Sequence, residues 1–322
     1  MDVFLASPWI PAEWIRAHGL QPRGLWSAED FQPGAWPLSA GLCAFADAAV
    51  RFAEARTDSA VVFSTACDQM RRGFDAAILE GQRRAFLFNL PATWQTPAGT
   101  QIFRSELERL GQFLLAIGGS APSPEVLRRE MSQAGGARQR LLESASATSP
   151  RGFAQAVAQF HWDGAFSPPP PAPPANQIPI ALVGGPFLAP HWEWLDELEA
   201  AGARVALNAT EMGERSLPPD FEFDPAAIHP FDALVRGCCD NIVDVFQRPN
   251  TRLYSWLKPR LASRNVRGIV LWHFIGCDLW RVEAPTLRET FALPVLLLEA
   301  GGEPGAAPRQ LDRLQAFVET LR

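Results

Sequence analysis

Two Cys-Asp pairs stand where an apolar run ends and a helical pattern begins. Cys67 and Asp68 lie in VVFSTACDQMRRGFD, and Cys277 and Asp278 lie in WHFIGCDLW. In open α/β sheets, binding and catalytic sites usually lie at the carboxyl ends of the strands. A thiol at a helix N-terminus also feels the positive end of the helix dipole, which is expected to lower its pKa and favour the metal-binding thiolate. Cys67 and Cys277 are therefore candidates for metal ligation.

A third thiol, that of Cys43 in LCAFADAAV, falls near the start of another predicted helix. Three thiolates from three helix starts, meeting in a cleft between two domains, would hold an iron–sulfur cluster with one iron open for substrate. The spacing of the three cysteines matches no compact C-x-x-C pattern. On spacing alone, buried and unreactive cysteines are the simpler interpretation.

Short apolar runs alternate with helical patterns on both sides of a proline-rich stretch, which predicts an α/β protein with two doubly wound, Rossmann- or flavodoxin-like parallel sheets. We predict an N-terminal α/β domain over 1–98, a helical segment over 99–166, a linker over 167–177 and a C-terminal α/β domain over 178–322. The cluster site is expected between the two domains. The predicted strands are contained in QPRGLW, SAVVFST, RRAFLFNLP, IPIALVGG, ARVALNA, GIVLWHF and LPVLLLEA.

The stretch SPPPPAPPANQIP contains the linker and predicts an extended polyproline II segment. An interdomain spacer is the simpler interpretation of this segment, and a ligand for a proline-binding domain is the alternative. Two helix starts are also indicated: Ser39 is a candidate N-cap, and Ser123 with Pro124 forms a Ser cap followed by Pro.

Composition narrows the class of protein. The 322 residues are 47% hydrophobic and carry a net charge of −6, so a nucleic-acid footprint is not expected. No apolar run is long enough to span a bilayer, and the N-terminus lacks the pattern of a signal peptide. Five cysteines make an odd count, which favours reduced thiols and a cytoplasmic location. No P-loop motif is present, so ATP hydrolysis through one is excluded.

Taken in order, the motifs resemble the 2-hydroxyacyl-CoA dehydratase and benzoyl-CoA reductase family, in particular its D-component-like iron–sulfur proteins. The N-terminal IPAEWIRAHGLQPRGLW resembles the family's first helix and strand. LCAFADAAV, VVFSTACDQMRRGFD and RGIVLWHFIGCDLWRVEAPTLRE resemble its three cysteine motifs, and LEAAGARVALNATEMGER and RQLDRLQAFVETL resemble parts of its second α/β domain.

The resemblance implies that Cys43, Cys67 and Cys277 hold one [4Fe-4S] cluster with a fourth, non-cysteine position. It implies a low-potential electron passed to the carbonyl of an acyl-CoA thioester, forming a ketyl radical anion. The implied partners are an ATP-hydrolysing iron–sulfur activator protein and a second subunit, either a paralogue or another copy of the chain. Dehydration and reduction both remain open, as does a non-catalytic subunit that holds a cluster and relays electrons.

Other residues have two interpretations each. Cys238 and Cys239 are either ligands of a double-cubane cluster, as in a double-cubane-type reductase, or thiols that pack a helix, or a redox-sensitive surface pair. His273 either donates a proton to a leaving hydroxyl or forms a local hydrogen bond within its strand. Arg71 and Arg72 either contact CoA phosphates or lie on a solvated helix face.

Overall fold

Parallel strands and helices alternate along the parts of the chain that the computed structural model describes, residues 1–34, 41–169, 177–219, 228–301 and 308–322. The strands are β1 (Asp2–Leu5), β2 (Gln21–Gly24), β3 (Ala60–Ser64), β4 (Ala85–Phe88), β5 (Ile178–Gly184), β6 (Ala203–Thr210), β7 (Gly268–Phe274) and β8 (Val295–Ala300). The helices are α1 (Ala12–Ala17), α2 (Ala44–Glu54), α3 (Asp68–Leu79), α4 (Pro97–Ala116), α5 (Pro124–Ser144), α6 (Pro150–Asp163), α7 (Glu193–Ala200), α8 (Pro230–Asp240), α9 (Thr251–Ser263), α10 (Asp278–Arg281), α11 (Glu283–Phe291) and α12 (Pro308–Thr320).

The strands form two parallel sheets with the same order, β2-β1-β3-β4 and β6-β5-β7-β8. In each sheet the second strand lies on one side of the first, and the third and fourth strands are added on the other side. This reversal in strand order opens a crevice at the carboxyl ends of β1 and β3, and another at those of β5 and β7. The predicted α/β class with two doubly wound parallel sheets is confirmed.

The inner strands β3 and β7 show why these strands could be predicted from their apolar sequence. Every residue of both strands is buried, and both are nearly continuous apolar runs. Parallel strands that are covered by helices on both faces have this pattern, in contrast to the alternation of half-exposed strands. The helices that follow them, α3 and α10, begin at Asp68 and Asp278.

The prediction omitted β1, which pairs with both β2 and β3 and is therefore central to the first sheet. Its four residues are too short to carry a clear periodic signal, and the pairing that defines it involves residues far along the chain. The Ser39 cap and most of the proline-rich linker lie outside the described residues. In the described ranges, no helix has the length and apolar character needed to cross a bilayer.

The helical segment connects to both sheets. A buried ion pair joins Arg138 of α5 to Glu13 of α1, and α6 packs against β2. On its other side, α8 packs against α4 and α5. The division of the chain at residues 98, 166 and 177 stays a prediction.

A loop from each sheet is fixed against the other beside the crevices. The backbone N–H of Arg248 donates to the carbonyl of Ala92 at 2.8 Å, and the indole N–H of Trp94 donates to the carbonyl of Pro249 at 2.8 Å. Arg252 also lies over the Trp94 ring at 4.0 Å. These contacts fix the carboxyl edge of the first sheet relative to that of the second.

Removal of the cap on α5 is expected to have a small and local effect. The Ser123 hydroxyl accepts from the backbone N–H of Val126 at 3.3 Å, and Pro124 occupies the first turn, as predicted. Ser123→Ala should lower the free energy of unfolding by about 1 kcal/mol. Urea denaturation at equilibrium measures this change, and a loss above about 3 kcal/mol would show that Ser123 does more than cap the helix.

Candidate metal centre

Each of the three candidate cysteines occupies the N-cap position of a helix. Cys43 precedes α2, Cys67 precedes α3, and Cys277 precedes α10. Cys67 and Cys277 are in equivalent places in the two sheets, because each follows the third strand of its sheet after a short turn. The N-cap geometry places each sulfur beside the free N–H groups of a first helical turn.

The structure brings the three cysteines to the wall of one cavity. The cavity is open, has a volume of about 820 Å³, and is lined by Cys43, Cys67 and Cys277. Ala92 and Phe246 complete the wall from the fixed interdomain loops. A smaller space of about 60 Å³ lies against the same three cysteines and is also lined by Glu211 and Asp244. The cysteines thus line both spaces at the crevice between the two sheets.

A side chain of α3 links the first two cysteine loops. The backbone N–H of Cys43 donates to Oε1 of Gln69 at 2.9 Å, and Gln69 lies two residues after Cys67. This contact holds the start of α2 next to the start of α3. The Cys43 loop therefore follows the position of the Cys67 loop, even though they are far apart in sequence.

Burial dominates the ionisation of these thiols. It raises the pKa of Cys43 and Cys67 above the ordinary thiol value and that of Cys277 to about 12. First-turn N–H groups, such as that of Met70 for Cys67, act in the opposite direction but are weaker. The prediction that the helix N-termini lower the thiol pKa is therefore wrong for the metal-free protein, since removal from water disfavours the thiolate more than the helix favours it.

The buried side chain of Arg215 holds together several segments next to the cysteines. Arg215 is 1% exposed, and its Nη1 donates to Oδ2 of Asp244 at 2.7 Å. Its other contacts go to backbone carbonyls: Nε to Ala209 at 2.7 Å, Nη1 to Val243 at 2.7 Å and Nη2 to Gly184 at 2.6 Å. Its guanidinium also lies 4.6 Å from the Trp280 ring. Arg215 thus connects the ends of β5 and β6 with α10, the helix that Cys277 caps.

Other candidates lie in different places. Cys238 lines a separate small cavity with Glu13 and Arg138, and Cys239 is buried in the core. His273 is fully buried in β7, and its Nδ1 lies 2.9 Å from the carbonyl of Phe274. In contrast, Arg71 and Arg72 line the open cavity together with the cysteines.

Sequence reasoning missed Glu211, Arg215 and Asp244 as site residues. The signal for the first two was present in NATEMGER, where charged residues directly follow the apolar strand β6. Asp244 gave no such signal, because it belongs to a loop between α8 and α9. Its role depends on Arg215, which reaches it from 29 positions earlier.

The donors at this crevice suit a cluster rather than a single metal ion. Within the described ranges, no group of three or more His, Cys, Asp or Glu residues is arranged to hold a metal ion. Three thiolates on one ion, with metal–sulfur bonds of about 2.3 Å, must be closer together than the ligands of a cluster, each of which binds a different iron. Three thiols around a shared space therefore fit a cluster better than a single ion.

Two parallel-sheet units with cysteines at the strand ends and a cavity between them define a two-sheet α/β protein with a candidate thiolate site. The sequence profile described as 2-hydroxyglutaryl-CoA dehydratase, D-component, matches residues 9–321. The chain belongs to this family. The membership indicates a dehydratase-type enzyme subunit, and a D-component is one part of a complex with partner subunits.

Comparisons with curated proteins and solved structures do not extend this family assignment. No curated protein matches the chain. A mutant of the laminin-binding adhesin Lmb from Streptococcus agalactiae is 11% identical with a TM-score of 0.23, and the match covers 100% of this chain and 98% of that one. A zinc-bound variant of AdcAII from Streptococcus pneumoniae is 9% identical with a TM-score of 0.22, covering 100% and 97%. These scores are too low to indicate a shared fold.

Proposed function

We propose that the chain is the iron–sulfur subunit of a 2-hydroxyacyl-CoA dehydratase or of a related acyl-CoA reductase. Cys43, Cys67 and Cys277 would hold one [4Fe-4S] cluster. When bound, the cluster would supply a low-potential electron for formation of a ketyl radical anion on the thioester. An ATP-hydrolysing activator protein would deliver that electron, and a paralogous subunit or a second copy of the chain would complete the enzyme.

The observation that carries this proposal is the common cavity of the three cysteines. Cysteines 24 and 210 positions apart in sequence, each an N-cap, line one space together, whereas Cys238 and Cys239 are elsewhere. Unreactive core cysteines have no reason to meet at the carboxyl ends of two sheets. Thiolates are the usual ligands of iron–sulfur clusters, so this arrangement supports a cluster at the crevice.

The chain's own residues would prepare this site in three ways. The apolar lining of the smaller space, including Phe274 and Trp280, excludes water. Arg215 keeps the ends of β5 and β6 in place, and Gln69 does the same for the Cys43 loop. At the mouth, Arg71 and Arg72 offer positive charge to an anionic ligand, as CoA phosphates require.

The alternative is a subunit that holds the cluster and relays electrons while its partner binds the substrate. The small size of the enclosed space favours this possibility, because about 60 Å³ next to the cysteines leaves little room for an acyl group after a cluster is bound. The open cavity of about 820 Å³ favours direct substrate binding instead. The two possibilities therefore need a binding experiment.

Anaerobic purification followed by reconstitution with iron and sulfide tests the proposal. We expect four irons and four sulfides per chain and a broad visible absorbance that dithionite bleaches. Titration with 2-hydroxyglutaryl-CoA, followed by EPR of the reduced protein, then separates the two possibilities, because only a substrate-binding subunit should change its spectrum. A protein that takes up no iron beyond a Cys43→Ser, Cys67→Ser, Cys277→Ser triple variant would contradict the proposal.

A further inference from the structure

Glu211 is a carboxyl group beside the cysteines to which no described residue donates a hydrogen bond, although the charge of Arg215 acts on it from farther away. It directly follows β6, and its backbone N–H donates to the carbonyl of Gly184 at 3.1 Å, so its position at the strand ends is fixed. Within the part of the chain that the structure describes, no hydrogen bond or ion pair reaches its carboxylate oxygens. Nearby Arg215 makes its short contacts with Asp244 and three backbone carbonyls.

The location of this carboxyl group points to a ligand. Glu211 lines the enclosed space of about 60 Å³ that Cys43, Cys67 and Cys277 also line. Glu211 therefore lies close enough to every candidate ligand to belong to the same site.

The chemistry of this carboxyl group suits an iron ligand. Glu211 lines the enclosed space with the three cysteines, and carboxylates are established ligands of iron. Three thiols and one carboxylate around one space match the four irons of a [4Fe-4S] cluster.

We propose that Glu211 is the fourth protein ligand of the cluster, binding the iron that the three cysteines leave open through a carboxylate oxygen. This proposal rests on the function proposed above and makes it more specific. With all four irons bound by protein, no iron is open for a thioester carbonyl. The chain is then the electron-relay subunit, and a partner subunit binds the substrate.

The experiment compares reconstituted wild type with Glu211→Gln and Glu211→Cys. An iron without a protein ligand is lost on mild oxidation, which converts a [4Fe-4S] cluster into a [3Fe-4S] form with its own EPR signal. After identical treatment with ferricyanide, Glu211→Gln should lose about one quarter of its iron and show this signal, whereas wild type retains four irons. Glu211→Cys should also retain four irons, because a thiolate replaces the carboxylate.

Asp278→Asn serves as the matched control. Asp278 adjoins Cys277 but lines the open cavity and is absent from the lining of the enclosed space. Its removal changes the charge near the cysteines without removing the proposed ligand, so its iron content and EPR spectrum should equal those of wild type. The metal-free Glu211→Gln protein should have the melting temperature of wild type, so that a loss of iron is not a loss of folding.

The possible outcomes separate the two proposals. If wild type loses iron as readily as Glu211→Gln, Glu211 is not a ligand, while the three-cysteine cluster stands. If Glu211→Cys fails to retain the fourth iron while wild type keeps it, the ligand geometry proposed here is wrong. If wild type takes up no cluster, the proposed function fails together with this inference.

Discussion

Cys277→Ser, prepared and reconstituted anaerobically, is expected to lose most of its iron and its visible absorbance. Serine has nearly the same size, but its hydroxyl stays protonated near neutral pH, whereas a thiol is readily deprotonated by a bound metal. Cys277 is also the one candidate cysteine ligand from the second sheet. Its loss would leave the cluster with no thiolate from that sheet. Iron analysis and absorbance of the reconstituted protein measure the effect.

Cys238→Ser is the matched control for this substitution. Cys238 lies in α8 and faces a different cavity, beside Glu13 and Arg138. Its iron content should remain close to that of wild type. The metal-free forms of both variants should unfold within about 1 kcal/mol of wild type, so that a loss of iron is not a loss of folding. Full iron in Cys277→Ser together with depleted iron in Cys238→Ser would refute the ligand assignment.

Arg215→Met is expected to destabilise the metal-free protein by about 3–5 kcal/mol, the range typical when one partner of a buried ion pair is removed. Methionine fills much of the volume but leaves Asp244 as an uncompensated buried charge. It also removes the hydrogen bonds that Arg215 donates to the carbonyls of Gly184, Ala209 and Val243. Urea denaturation followed by far-UV circular dichroism gives the change in the free energy of unfolding.

Arg51→Met provides the comparison for Arg215→Met. Arg51 pairs with Asp47 at 2.8 Å across one turn of α2, and its side chain is 51% exposed. An exposed pair of this kind contributes at most about 0.5 kcal/mol. If both variants unfold at the same urea concentration, the Arg215 network does not stabilise the second sheet, and its connection to α10 is of no energetic consequence.

The sequence by itself determined the α/β class and most of the strands. Central parallel strands are covered on both faces, so β3 and β7 had to be apolar runs, and the Cys-Asp pairs after them had to lie at strand ends. The helix starts at Ser123 and Cys67 were readable for a similar local reason, because capping depends on a few adjacent residues. The family followed from the order of many weak motifs.

The tertiary structure decided which of these residues meet. Cys43, Cys67 and Cys277 share a cavity because two separate sheets are fixed edge to edge by contacts such as Arg248 to Ala92, which connect distant parts of the chain. The raised pKa of the thiols and the position of Glu211 beside them also depend on contacts between distant parts of the chain. Burial and pairing depend on every element packed around a group, and no local pattern of residues contains that information.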